Sequence, residues 1–324
     1  MRLCHAHRAF IALALCLSAA PAVQAQSDYP SRPIRVLVGF AAGGPVDVTA
    51  RIVADALTAE LGRTVVVDNR PGAGGNVAAD QVAKSPPDGY TLLQSSNALA
   101  ISPGIYSKLP FDVLKDFTPV SEVTTTFLVL VVHPSVAAKT LSDFIAYGKA
   151  KAGLDYGSAG AGTITHLAAV LFARETGLTL QHVPYRGSAP AVTDLVAGRV
   201  LFMFAPIGTA KPFIEAGKLR AIAVSGPRRV EGLPGVPTVD EAGVRGFEAS
   251  GWNGLFAPAG TPKPVVDRLH RAVVNILKGE ETRRRLAQQD AIPRGTDPDA
   301  FRRYVAADVA RWIEVAKASG IKGE

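Results

Sequence analysis

Asp155-Tyr156-Gly157-Ser158-Ala159-Gly160-Ala161-Gly162-Thr163-Ile164-Thr165-His166 runs from a short strand through a glycine-rich turn into a helix. Thr163 stands where an N-cap belongs, and apolar residues follow at Ile164, Leu167, Ala168, Leu171 and Phe172, a helical spacing. A helix N-terminus carries unpaired N–H groups and a partial positive charge, so it attracts carboxylates and phosphates. Glycines just before it let an anion approach the backbone closely. Hydroxyls on Ser158, Thr163 and Thr165 add donors without a buried cation. The same order of strand, glycines and helix recurs at Val38-Gly39-Phe40-Ala41-Ala42-Gly43-Gly44-Pro45. Two anion-receptive helix ends so far apart in sequence predict a cleft between two lobes.

Working outward, 324 residues suffice for two domains and a large core. Residues 1–25 read as a secretory signal peptide: Arg2 and Arg8 open it, Ala9 to Ala20 is apolar, and Val23-Gln24-Ala25 is a small-residue cleavage site. The apolar run is too short to anchor the chain across a bilayer. Both cysteines, Cys4 and Cys16, fall in this leader, so the mature chain is expected to have neither disulfides nor thiol chemistry. Subtracting Arg2 and Arg8 from 35 basic residues leaves 33 against 28 acidic, a net of +5. That modest excess fits a small anionic ligand. The arginines are scattered except for Arg283-Arg284-Arg285, which reads as a solvated helix face rather than a nucleic-acid patch.

Along the chain, strands are expected at Ile34–Val38, Thr64–Val67, Tyr90–Gln94, Phe127–Val132, Leu180–Val183, Val200–Phe204, Leu219–Val224 and Trp252–Pro258. Helices alternate with them: Pro45 to about Leu61, a short one ending near Lys84, Leu141–Ala150 and Ala189–Ala197. This alternation is that of parallel α/β units. Thr238-Val239-Asp240-Glu241 fits a capping box that opens a short helix. Val266, Leu269, Val273 and Leu277 mark one tail helix, and Phe301, Val305, Val309 and Trp312 another begun by Asp297-Pro298. Asp47 reads either as a helix-end carboxylate paired with Arg51 or as a ligand contact. A third glycine loop, Asn69–Asn76, reads as a turn beside the first or as another anion site. Ser95-Ser96-Asn97 ends a strand where open α/β sheets bind ligands. His166, near the start of its helix, is favoured neutral and could meet a ligand oxygen or cap its own helix. Arg186 could pair with an anion or sit at the surface.

Several ordered segments together resemble the Bug receptors, the TctC-like substrate-binding proteins of tripartite tricarboxylate transporters. They are Gly39 to Pro45 with Asp47 and Arg51, Asn69 to Gly75, Pro87 to Leu92, Gly157 to Gly160, and Gly162-Thr163 with His166-Leu167-Ala168. His182 to Gly187, Ala197-Gly198, Ala216 to Arg220 and Thr261-Pro262 continue the series over nearly the whole mature chain. Some members carry lysine where Arg186 stands, which keeps the charge but changes its geometry. The resemblance implies an α/β, two-lobed periplasmic-binding-protein architecture of the type II Venus flytrap kind. It has two crossing segments and a helical C-terminal tail on lobe one. It also implies that the loop of Phe40, Ala41, Ala42 and Gly43 holds one carboxylate, partly through ordered water. Ser158, Gly160, Thr163 and His166 would meet it from the second lobe, with Tyr185 and Ala205 as neighbours. The loops of Ser95 to Asn97 and of Tyr185, Arg186 and Gly187 would select the distal end of the ligand.

These readings give lobe one as residues 26–125 and 253–324 and lobe two as 126–252, crossing near Val123 to Leu130 and Ser250 to Asn253. The expected protein is a periplasmic receptor, not an enzyme and not membrane-spanning. It would be a monomer that passes a small carboxylate to the membrane subunits of a transporter, or alternatively to a membrane sensor. No cofactor, metal or nucleic acid is expected, because no His/Cys/Asp/Glu set has metal-ligand spacing. A Rossmann enzyme is disfavoured because Gly39, Gly43 and Gly44 do not form G-x-G-x-x-G. A serine hydrolase is disfavoured because Tyr156 stands where a nucleophile elbow around Ser158 needs glycine.

Overall fold

The structure is a computed structural model that describes residues 29–319; the expected leader, residues 1–25, lies outside the described residues. The chain begins with three strand–helix units. They are β1 (Ile34–Val38) with α1 (Pro45–Leu61), β2 (Val65–Asn69) with α2 (Asn76–Ala83), and β3 (Thr91–Ser96) with α3 (Asn97–Ile105). In β1, Ile34, Val36, Leu37 and Val38 are all buried, as both faces of a parallel strand covered by helices require. Pro45 occupies the first turn of α1, where its missing N–H costs nothing, and Gly62 ends the helix in the left-handed conformation.

β4 (Phe117–Val132) then runs on from these units as a strand of 16 residues. Beyond it lie α4 (Leu141–Lys149), β5 (Leu154–Ser158), α5 (Ile164–Thr176), β6 (Leu180–Pro184), α6 (Ser188–Val196), β7 (Phe202–Pro206), α7 (Ile207–Glu215) and β8 (Arg220–Val224). β9 (Ser250–Pro258) returns, and α8 (Lys263–Lys278), α9 (Glu280–Ala287), β10 (Ala291–Pro293) and α10 (Pro298–Ser319) finish the described chain.

The strands form two groups joined through β4. The first runs β2-β1-β3-β9-β4, with β10 on the far side of β4; β1 is parallel to β2 and β3, and β9 is antiparallel to β3 and β4. The second runs β6-β5-β7-β4, with β8 also against β4. β4 changes partners at one step. Phe117 to Phe127 pair with β9, while Leu128 to Val132 pair with β7 and β8. The hydrogen-bonded path is therefore continuous through β4, a single curled mixed sheet in connectivity. Both groups bury apolar cores, and Leu167 of α5 reaches from the second group into a core of the first. Ile34, Leu57, Leu92, Leu269 and Val273 fill one side of the first group, and Phe117, Phe256, Phe301 and Trp312 the other. Phe144, Phe172, Phe202 and Phe204 dominate the second. The tail helices bury Val266, Leu269, Val273, Leu277, Phe301, Val305, Val309 and Trp312 against the first group, as their spacing predicts.

Two expectations need correction, and α3, α7 and β10 add to the expected elements. The strand expected at Phe127 begins ten positions earlier, at Phe117; Ser121, Glu122 and Thr124 hide it in the pattern, yet all are buried and paired. The capping box at Thr238 forms, with Glu241 N donating to Thr238 Oγ1 at 2.9 Å and Thr238 N to Glu241 at 3.0 Å, but it closes a turn rather than opening a helix. Gly243 and Gly246, both at positive φ, follow too soon for one. α3 was not expected, because Pro103 and Gly104 interrupt its pattern.

Candidate functional site

A cleft of about 330 Å³ lies where the two groups of strands face each other over the crossing of β4 and β9. Five helices begin at its wall among the described residues: Gly44 precedes α1, Ser96 α3, Thr163 α5, Gly187 α6 and Pro206 α7. Only Ser96 caps its helix with a side chain, accepting from Ala98 N at 3.4 Å. The other four leave first-turn N–H groups without a side-chain acceptor, and α5, α6 and α7 have no acidic residue in the first turn. Each such end carries roughly half a positive charge. Arg186 is the one charged side chain lining the cleft among the described residues; it is exposed and no acidic residue lines the cleft. Phe40, Phe127, Leu128, Ile164, Ile207 and Trp252 supply apolar wall, and Thr126, Ser188, Thr209 and Gln289 supply hydroxyls and an amide.

The α1 loop is braced from behind. Asp47 is buried; its carboxylate accepts from Gly43 N at 2.8 Å, Arg51 Nε at 3.0 Å and Asn69 Nδ2 at 2.8 Å. Burial opposes its ionisation, but these three donors outweigh it and hold the carboxyl below the usual range. Asn69 also donates to Phe40 O at 3.0 Å. The third glycine loop packs directly beneath, since a Cβ on Gly39 would stand 2.4 Å from Gly75 Cα. It is a turn beside the first loop, and it does not line the cleft.

The α5 loop is held by its own hydroxyls. Thr163 Oγ1 donates to Gly160 O at 2.7 Å and lies 2.8 Å from Thr165 Oγ1, which accepts from Ala159 N at 2.8 Å. Thr163 is thus N-cap by position, with extended backbone, but its hydroxyl turns back to the loop instead of capping α5. Behind it, His166 and His182 stack face to face, 3.9 Å between centroids and 3° from parallel, with Tyr156 stacked 5.0 Å from His182. His166 Nδ1 accepts from Gly162 N at 3.2 Å, and His182 Nε2 bonds Ser158 Oγ at 2.6 Å. Burial, aided by His182, pushes His166 down to about 3, and burial pushes His182 down to about 4; both are neutral near pH 7.

Of the residues singled out from sequence, Phe40, Ala41, Ala42, Gly43, Ser96, Asn97, Thr163, Thr165, Arg186 and Gly187 line the cleft. The others stand behind it. Ser95 points to the strand face opposite Ser96, which lines the cleft instead. Ser158 is buried against His182, Gly160 accepts from Thr163, and His166 braces Gly162. Tyr185 donates to Asp194 at 2.9 Å, and Ala205 is buried opposite Val129 one residue before Pro206 reaches the wall. Sequence reasoning missed Ser188 and Ile207, although Pro184–Ser188 and Pro206-Ile207 repeat the strand-to-helix signal. It also missed Thr126, Gly251 and Asn253 on the crossing strands and Gln289, for which no local signal exists. Among the described residues, no group of three or more His, Cys, Asp or Glu could hold a metal ion, and no helix is long and apolar enough to cross a membrane.

Two α/β halves, crossed by β4 and β9 and turning helix starts from both sides toward one cleft, define a two-lobed periplasmic binding protein of the Venus flytrap type. Within that class the chain belongs to the tripartite tricarboxylate transporter family receptors, TctC, whose model matches residues 49–321. It is 34% identical to the periplasmic binding protein BugD, with a TM-score of 0.84 over 91% of this chain and all of that one (100%). Rpa4515 of R. palustris, solved with adipate, is 36% identical with a TM-score of 0.86, covering 91% of this chain and 99% of that one. MatC of Rhodopseudomonas palustris, solved with bound malate, is 34% identical with a TM-score of 0.82, covering 89% and 100%.

Proposed function

We propose that this receptor captures a small carboxylate in the cleft, without converting it, and passes it to the membrane subunits of a tripartite transporter. The observation that carries the reading is the set of five helix starts around one cleft whose wall, among the described residues, has a single cation, Arg186, and no carboxylate. Such a cleft stabilises a negative ligand and offers a cation no charged partner among the described residues. One carboxylate sits at the α1 loop, Phe40 to Val46, and the start of α5; a second anionic group is met by Arg186 and the start of α6. Adipate in Rpa4515 and malate in MatC support the class. The lobes are residues 26–125 with 253–324, and 126–252, and the mature monomer works in the periplasm after removal of residues 1–25.

A thermal-shift screen over carboxylates and their neutral amides tests the reading. A ligand at ~100 times its dissociation constant adds roughly 2.7 kcal/mol of stability. At least one carboxylate should raise the melting temperature where its amide does not; stabilisation by neutral sugars or nucleotides alone would overturn it.

A further inference from the structure

The crossing of β4 and β9 is gripped from both sides at adjacent residues. On the first-sheet side the β4–β9 ladder ends at Phe127 opposite Ser250. There Asn97 holds β9 with both ends of its amide: Oδ1 accepts from Trp252 N at 2.6 Å, and Nδ2 donates to Ser250 O at 3.3 Å. Asp308, buried on α10, fixes that amide by accepting from Asn97 Nδ2 at 3.1 Å, and it accepts from Trp252 Nε1 at 2.8 Å. On the second-sheet side the fully buried Ser225, just past β8, holds the next residue of each strand. Its Oγ accepts from Leu128 N at 2.9 Å and donates to Ala249 O at 2.7 Å. Its backbone repeats both links, donating to Leu128 O at 2.8 Å and accepting from Ala249 N at 3.0 Å.

The grips leave one unclamped step on each strand, Phe127–Leu128 and Ala249–Ser250. Phe127, Leu128, Gly251 and Trp252 are also the floor of the cleft. Hinges of two-domain receptors are a few residues that absorb the backbone change between rigid bodies. We propose that Ser225 and Asp308 are positioning residues for ligand capture: they confine the bend between the lobes to these two steps and set how the helix starts meet across the cleft. Neither lines the cleft, so each acts through the strands it holds. The proposal rests on the two-lobed capture described above.

The test compares Ser225→Ala, Ser225→Thr and Asp308→Asn with Ser121→Ala, a control that removes an equally buried hydroxyl bonded to Thr296 O at 2.9 Å, away from the hinge steps. Nitroxide labels at Lys84→Cys and Lys151→Cys, in a chain with Cys4→Ser and Cys16→Ser, report the distance between lobes in the ligand-free protein. Ser225→Ala and Asp308→Asn should broaden that distribution, Ser225→Thr should restore it, and Ser121→Ala should leave it narrow even where its melting temperature falls as far. Adipate titrated into the same variants should bind about three- to thirtyfold more weakly to Ser225→Ala and Asp308→Asn than to the control. Distributions as narrow in Ser225→Ala and Asp308→Asn as in the control would overturn the proposal. The spin-label measurement needs no ligand, so if adipate binds to none of the proteins, the distances alone decide the hinge and only the choice of ligand is in question.

Discussion

Replacing Thr163 by Val removes one hydroxyl at the start of α5 while keeping the side chain's size, and the structure says which property should suffer. The hydroxyl proton is given to Gly160 O at 2.7 Å, and the oxygen lies 2.8 Å from Thr165 Oγ1. Thr163 is 7% exposed, so water cannot readily replace either link. A neutral hydrogen bond contributes about 0.5–1.5 kcal/mol net, and an acceptor left buried without a donor costs about 1–3. Gly160 O still receives Thr163 N at 3.3 Å, so the lower part of that range applies. Thr163→Val should therefore cost about 1–2 kcal/mol in urea unfolding. The proton is spent on the loop and not on the ligand, so carboxylate affinity measured by calorimetry should fall by less than about fivefold, or roughly 1 kcal/mol. A fall of about a hundredfold with unchanged unfolding would refute this, because it would mean that the hydroxyl turns to the ligand and leaves Gly160.

Arg186→Gln should weaken a linear dicarboxylate about five- to thirtyfold and leave the matching monocarboxylate unchanged; the ion-pair strength is discounted because the guanidinium is exposed. Equal losses for both acids in parallel titrations would place the second anionic group elsewhere. Gly162→Ala puts a Cβ 2.1 Å from Ile105 Cδ1 at a φ of +72°, so it should destabilise the fold by about 1–3 kcal/mol in chemical unfolding and loosen the α5 loop from α3. His166 and His182 titrate in the folded chain below their ordinary 6.5, so the unfolded chain takes up their protons first. Their contribution is complete above about pH 6.5 and is lost as pH falls toward 4 and then 3, with a slope of at most ~1.4 kcal/mol per pH unit for each ring. In urea unfolding followed between pH 7 and 4, His182→Gln should flatten that slope; an unchanged slope would show that the rings do not carry it.

How far the sequence revealed this arrangement depended on how local each signal was. β1, α1, α5, α8 and α10 are written in short-range periodicity and helix-start residues: β1 and α1 keep the expected limits, α5 and α10 start where Thr163 and Asp297-Pro298 place them, and α8 carries the four marked apolar residues. The loops Phe40 to Gly43 and Ser158 to Thr163 were legible as glycine-rich helix starts for the same reason. What escaped is what non-local pairing creates. Thr126 and Gly251 become cleft floor only because β4 and β9 lie side by side, and their polar or small character says nothing of that. Ser158 and His166 carry the right chemistry but face the histidine stack, a choice made by packing with Tyr156 and His182 and not by their own loop. Arg285, in the basic trio, is tied to Asp55 at 3.0 Å and Arg284 to Glu281 at 2.7 Å, an outer helix face as composition suggested.

The most direct test of capture by helix starts is amide chemical-shift mapping of ¹⁵N-labelled protein, titrated with the carboxylate that raises its melting temperature most. The backbone N–H groups of Val46, Ile164, Thr165, Ser188 and Gly208, from helix starts on both sides of the cleft, should shift together and saturate at one equivalent. Shifts confined to one lobe, or lying away from these helix starts, would contradict the account.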